Sequence, residues 1–317
     1  MRWPHALVAL ALAGCATGGG AASLADGRTG SIPILTTTTA TDGAEQPATV
    51  TGDLTLPAGA SGRVPAVILL HSCHGVQPPV REWARALNEM GYGTFVLDSF
   101  TGRRVTEDCT GRTAVGIGSR LTDVFRAQAL LATHPRLDPD RIGIVGFSHG
   151  GWVTLWASQS RYQRRFMRGT GANPAAYAAF YPAACNVRLL NETAMDEAPV
   201  RIFVGTADDW TPVARCREWV ERRRAAGKNV SIVEYEGAMH AFDVAAFQPP
   251  RRFPYVNPSG CTIVEQLDGT FADAEGKPFS GASPCMTRGA SMGYDARAHA
   301  QALADLKAFL AEAFARR

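Results

Sequence analysis

Residues 141–158 read Arg-Ile-Gly-Ile-Val-Gly-Phe-Ser-His-Gly-Gly-Trp-Val-Thr-Leu-Trp-Ala-Ser. Arg141–Val145 is a short apolar, β-branched run that follows the turn residues Asp138-Pro139-Asp140, and this predicts a strand buried on both faces. Ser148–Ser160 carries a helical pattern. Between the two lies Gly146-Phe147-Ser148-His149-Gly150, which fits G-x-S-x-G. Two glycines around a serine recur by chance, so the context carries the weight. A buried strand directly before and a helix directly after are what a nucleophile elbow requires, because the tight turn exposes the serine hydroxyl. Glycine on either side relieves the crowding of that turn, and Gly151 lets the helix sit close to the sheet. A glycine-rich turn with Ser148 as helix N-cap is the structural alternative.

Working outward, strand and helix patterns alternate. Thr49–Leu56 alternates polar and apolar residues as a half-buried strand does, and Ala66–Leu70, Thr94–Leu97, Ala175–Tyr181, Val200–Val204 and Val230–Tyr235 read as further strands. Val80–Met90, Leu121–Thr133, Pro212–Ala226 and Ala296–Phe314 have helical spacing. Strands separated by helices imply βα units, hence an α/β fold with a mostly parallel central sheet and helices on both faces. Residues 246–295 break the pattern; they are rich in Pro, Gly and Ser and contain Cys261 and Cys285. So long an irregular stretch reads as an excursion beside the active-site face.

A nucleophilic serine needs a base, and the base needs an acid to orient it. On this fold the chain order is Ser, acid, His. The histidines after Ser148 are His149, His240 and His299. His149 adjoins the serine and points away, and His299 lies inside the final helix. His240 follows the strand ending at Tyr235, at the carboxyl end where α/β active sites collect. The preceding strand runs into Asp208-Asp209, of which Asp208 is favoured as the acid. The amide after the nucleophile, that of His149, supplies one oxyanion donor; the amide of Cys73, in His71-Ser72-Cys73-His74-Gly75, supplies the other. A rival reading gathers His71, Cys73, His74 and His149 round a metal, but the triad accounts for these segments with no metal and no cofactor.

The set His71–Gly75, Leu97–Arg104, Gly146–Gly151, Gly205–Asp209 and Gly237–Phe242 resembles the dienelactone hydrolase family of α/β-hydrolases. The likeness runs from about residue 50 to 242 and resumes in the final helix. It implies Ser148, Asp208 and His240 as a catalytic triad, with Cys73 and His149 as oxyanion donors. Two departures stand out. The namesake enzymes carry a cysteine nucleophile where this chain has Ser148, and a glutamate in the oxyanion loop where Ser72 stands. Both point to a more general esterase. Arg103 falls where the family can place an arginine for a substrate carboxylate; a structural arginine holding its loop is the other reading.

The chain has 317 residues, 46% of them hydrophobic, with a net charge of +3 from 32 basic and 29 acidic side chains. This is a globular composition without the electrostatic footprint of a nucleic-acid binder. Arg2, the apolar run Ala6–Ala13 and Leu12-Ala13-Gly14-Cys15 resemble a bacterial lipoprotein signal, with Cys15 as the lipidated residue. Plain secretion with cleavage near Ser23-Leu24-Ala25 is the alternative. The expected organisation is a signal at 1–15, a tether and domain start at 16–45, and one domain at 46–317 enlarged by the 246–295 insertion. The membrane is then met only through the lipid, at the periplasmic face or outer membrane. Seven cysteines divide into Cys15 and six for disulfides. Placement on the fold pairs Cys73 with Cys109, Cys185 with Cys216 and Cys261 with Cys285. The function expected is ester hydrolysis through an acyl-enzyme on a small-molecule ester. A peptidase or acyltransferase on the same triad, and an inactive lipoprotein binding module, are the alternatives.

Overall fold

The computed structural model describes residues 22–39, 44–110, 115–167 and 173–316. Its elements are β1 (Gly30–Thr39), β2 (Glu45–Thr55), β3 (Val64–Leu70), α1 (Pro78–Glu89), β4 (Gly93–Asp98), α2 (Ile117–Leu131) and β5 (Leu137–Phe147). There follow α3 (His149–Ala157), α4 (Ser160–Phe166), β6 (Ala176–Phe180), β7 (Val187–Arg188), β8 (Val200–Gly205), α5 (Val213–Ala225) and β9 (Val230–Tyr235). The chain ends with β10 (Arg251–Asn257), β11 (Ile263–Glu265), β12 (Phe271–Ala272), β13 (Thr287–Met292) and α6 (Ala296–Ala315).

The central sheet has the order β1-β2-β4-β3-β5-β6-β8-β9. The strands from β4 to β9 are parallel, and β1 and β2 add an antiparallel edge. The period of two in the strands assigns the faces. Ala66, Ile68 and Leu70 of β3 enter one core with residues of α2, α3 and α5; Val67 and Leu69 enter the other with residues of α1 and α6. A sheet covered on both faces explains why its strands are continuous apolar runs.

Ordered packing begins well before residue 45. Leu24 is fully buried, with its amide on the Thr133 hydroxyl at 2.8 Å, and β1 sends Ile32, Ile34 and Thr36 inward. Pro33 interrupts the β1 pattern but is tolerated, because β1 is the edge strand. The helix expected over Ser148–Ser160 ends at Ala157. Gln159 is extended and bridges Met195, and a second helix, α4, starts at Ser160. Cys15 and the remainder of the signal lie outside the described residues.

Residues 246–295 hold two small sheets. β10 pairs with β13 beside the carboxyl ends of the parallel strands, and β11 joins β12 and β7. All three expected disulfides are present: Cys73–Cys109, Cys185–Cys216 and Cys261–Cys285. Closing loops of 36, 31 and 24 residues restricts the unfolded chain, worth roughly 3–4 kcal/mol each in the chain-entropy picture.

Candidate active site

Ser148 stands on the turn between β5 and α3 with φ 52° and ψ −109°, a conformation that costs a non-glycine residue energy. The turn is possible because its neighbours lack side chains. A Cβ at Gly146 would lie 2.1 Å from the Gly150 carbonyl oxygen, and one at Gly150 would lie 2.2 Å from that of Leu70. The Ser148 amide donates to the Phe180 carbonyl at 2.9 Å, tying the elbow to the end of β6.

Ser148 Oγ lies 3.0 Å from His240 Nε2, and His240 Nδ1 lies 2.8 Å from Asp208 Oδ2. All three residues are buried. The Asp208 carboxylate can only accept, so Nδ1 carries the imidazole proton and Nε2 is left to accept from the serine hydroxyl. Asp208 Oδ1 accepts from the amides of Trp210 and Thr211 at 2.9 and 2.7 Å, and Oδ2, the oxygen facing His240, also accepts from the Thr211 hydroxyl at 2.6 Å. Burial works against its charge, yet His240 and the Thr211 bonds together keep its carboxyl below the ordinary value of 3.8. Asp209 turns elsewhere: it accepts from Arg252 and from the amide and hydroxyl of Ser291, clamping the 246–295 segment to the loop after β8.

The two segments proposed to supply oxyanion donors flank the serine. His149 is the first residue of α3, where amides have no partner within the helix. Cys73 lines the same cavity as Ser148, and its disulfide to Cys109 staples the loop after β3 to the loop after β4. Behind them lies the fully buried Arg120 of α2. Its guanidinium donates to the ring of His149 and, at 2.8 Å, to the His71 carbonyl, so one side chain joins both segments. Burial lowers the Arg120 guanidinium to about 10, which still leaves it charged at neutral pH. Burial first, and the Arg120 charge second, push His71 and His149 well below the ordinary 6.5.

A pH dependence of stability follows. Unfolded, these two imidazoles take up protons below about pH 6.5; folded, they resist. Their contribution is therefore complete above that pH and declines as pH falls, by about 1.4 kcal/mol per pH unit for each imidazole. Denaturant midpoints should be level from about pH 8 to about pH 7 and fall steadily from about pH 6.5 to about pH 5. A flat profile over that lower range would refute the assignment.

Of the two readings of Arg103, the structure supports the structural one and not the substrate-binding one. Arg103 does not line the cavity. Its guanidinium binds both oxygens of Asp123 at 2.7 and 2.8 Å, the Thr38 hydroxyl, and the carbonyls of Thr37 and Ser99. All of its donors serve to hold β1, α2 and the loop after β4 together, leaving none for a substrate carboxylate. The residues of the rival metal reading are engaged as well. Cys73 is half of a disulfide, the His149 ring takes Arg120, His71 Nε2 accepts the Ser99 amide at 3.2 Å, and His74 Nε2 meets the Tyr255 hydroxyl at 3.0 Å. His299 packs its ring on Trp83 and Tyr294 within α6.

Ser148 and His240 open into a cavity of about 630 Å³. Several of its determinants escape sequence reading. Tyr181 lays its ring 4.7 Å from that of His240, and its hydroxyl donates to Asp243 at 2.6 Å. Asp243 also takes the Trp83 indole N–H at 2.7 Å. Burial, then the Asp243 charge, raise the Tyr181 phenol well above its ordinary value, so it stays a donor. Thr211 was within reach of a motif reading, as the third residue after an acid at a helix entry. Arg120 and Tyr181 carry no local signal.

A parallel sheet with a serine on a strand-to-helix turn, an acid after β8 and a histidine after β9 defines the α/β-hydrolase class. The dienelactone hydrolase family model matches residues 50–314, and the chain belongs to that family. Among its relatives is a protein of Bradyrhizobium assigned as a 2-oxo-3-(5-oxofuran-2-ylidene)propanoate lactonase, 26% identical over 57% of this chain and 75% of the relative. A protein of Methylorubrum extorquens assigned as a carboxymethylenebutenolidase is also 26% identical, over 60% of this chain and 67% of the relative. Two solved structures share the fold. One is a dienelactone hydrolase-like promiscuous phosphotriesterase from metagenomic libraries, with a TM-score of 0.53 and 17% identity over 89% of this chain and 98% of that one. The other is a thermophilic esterase of Thermogutta terrifontis, with a TM-score of 0.50 and 18% identity over 68% of this chain and 89% of that one.

Proposed function

We propose that this member of the dienelactone hydrolase family is an exported serine hydrolase that cleaves carboxylic esters through an acyl-enzyme. The observation that carries the reading is the hydrogen-bonded series Ser148–His240–Asp208 opening into a largely apolar cavity. As Ser148 Oγ attacks the acyl carbon, its proton passes to His240 Nε2, and Asp208 stabilises the imidazolium that forms. The carbonyl oxygen takes up negative charge facing the amides of Cys73 and His149, and one such donor is worth about 2.7–4 kcal/mol in the transition state. The bond to the alcohol oxygen then breaks, and His240 hands that oxygen the proton. Water enters, gives a proton to His240 and attacks the acyl carbon. Ser148 Oγ departs and recovers its proton, so ester and water have become acid and alcohol.

Export is supported by the three disulfides, which persist in an oxidising compartment. Cleavage before Cys15 is favoured over cleavage after Ala25, because the later cut would remove the buried Leu24. The chain is then carried by a lipid on Cys15. Turnover of a short-chain aryl ester by Ser148→Ala tests the function. A loss of kcat of about 10⁵ or more is expected, with the melting profile retained; undiminished turnover would refute the assignment.

A further inference from the structure

The cavity has two chemically different sides. From His240 outward one wall is aromatic. Trp210 lies 4.9 Å from the His240 ring and stacks on Tyr255 at 5.4 Å, and Tyr255 stacks on Phe253 at 5.3 Å. Phe253 and Tyr255 come from β10, within the 246–295 segment that breaks the βα pattern. The polar ends of this wall are engaged: the Trp210 indole donates to the Val256 carbonyl at 2.9 Å, and the Tyr255 hydroxyl meets His74. The stacked rings therefore line this side of the cavity with apolar aromatic surface.

The mouth is acidic. Glu82 and Glu107 line it, both are exposed, and neither forms an ion pair among the described residues. Among the described residues no lysine or arginine lines the cavity. A carboxylate on the substrate would pass two like charges and then lose its water with no cation to receive it, which is costly.

Orientation follows from the proton path. His240 protonates the departing oxygen, so the alcohol portion of the ester lies on the His240 side, where Trp210 begins the wall. We propose that the cavity selects esters whose alcohol portion is uncharged and aromatic, seated on the Trp210–Tyr255–Phe253 wall, and rejects those whose alcohol portion bears a carboxylate. This rests on the ester-hydrolase reading above. A flat ring buried against the wall gains enough for a preference of roughly ten- to a hundredfold over a small alkyl group.

The test compares ethyl acetate, benzyl acetate and 4-carboxybenzyl acetate on the full chain, following acetate release. Their alcohols are of similar acidity, so differences in kcat/KM report recognition. Benzyl acetate is expected at least about tenfold above ethyl acetate, and 4-carboxybenzyl acetate at least about tenfold below benzyl acetate. In Phe253→Ala the benzyl-to-ethyl ratio should move toward one, with ethyl acetate turnover in the same protein reporting that the site is still assembled. Similar kcat/KM for all three esters, with turnover still lost in Ser148→Ala, overturns the selectivity and spares the ester reading. No turnover of any ester overturns both.

Discussion

Asp208→Asn is expected to lower kcat by about 10⁴ while leaving the fold in place. The carboxylate now accepts the Nδ1 proton at 2.8 Å and fixes the tautomer in which Nε2 faces the serine. An amide nitrogen turned toward the ring would donate, place the imidazole proton on Nε2 and leave no base for Ser148. The Thr211 contacts survive in part, since an amide oxygen still accepts from the Trp210 and Thr211 backbone. Asp209→Asn provides the contrast. Asp209 touches Arg252 and Ser291 and not the imidazole, so kcat should stay within a few-fold, as for a surface polar change. Steady-state kinetics of the pair decides between the neighbouring acids; a larger loss from Asp209→Asn would contradict the assignment.

Gly150→Ala carries the second large effect, through backbone geometry. The added Cβ would lie 2.2 Å from the Leu70 oxygen and 2.7 Å from the His71 oxygen, both main-chain atoms. Leu70 cannot readily withdraw, because β3 is paired on both sides, with Leu97 and with Gly146. The strain must be relieved by moving α3 away from the loop after β3, and that separates the amide of His149 from that of Cys73. A stability loss of about 3 kcal/mol or more is expected, at the upper end for overpacking, with a fall in kcat beyond it in the protein that still folds. Denaturant titration and kcat measured below the transition check this together. Wild-type stability and activity would show that the elbow is not packed as described.

What could be read in the sequence divides along physical lines. The inner strands β3, β4, β6 and β8 and the second half of β5 are buried on both faces, so their apolar runs stand out against the polar loops. Glycines that permit a strained serine leave a local pattern, and so does the order of acid and histidine after successive strands. β1 was harder, because Pro33 and the threonines blur an alternation in which only Ile32, Ile34 and Thr36 face inward. The break between α3 and α4 depends on Gln159 bridging Met195, a contact that periodicity does not contain. The same holds at the site. The family resemblance allowed Arg103 a substrate anion, but Asp123, presented by α2, takes its guanidinium with both carboxylate oxygens. Arg120, Tyr181 and Asp243 converge from separate elements, and their roles exist only in three dimensions.

In the proposed mechanism Ser148 Oγ carries the acyl group. The most direct measurement is the intact mass of the protein mixed with excess aryl ester and quenched within the first turnover, followed by peptide mapping. The structure predicts one acyl adduct per chain, on the peptide containing Gly146–Gly151, absent from Ser148→Ala and accumulating in Asp208→Asn if deacylation is slowed more than acylation. An acyl group mapped to another residue, or ester turnover that persists in Ser148→Ala, would contradict it.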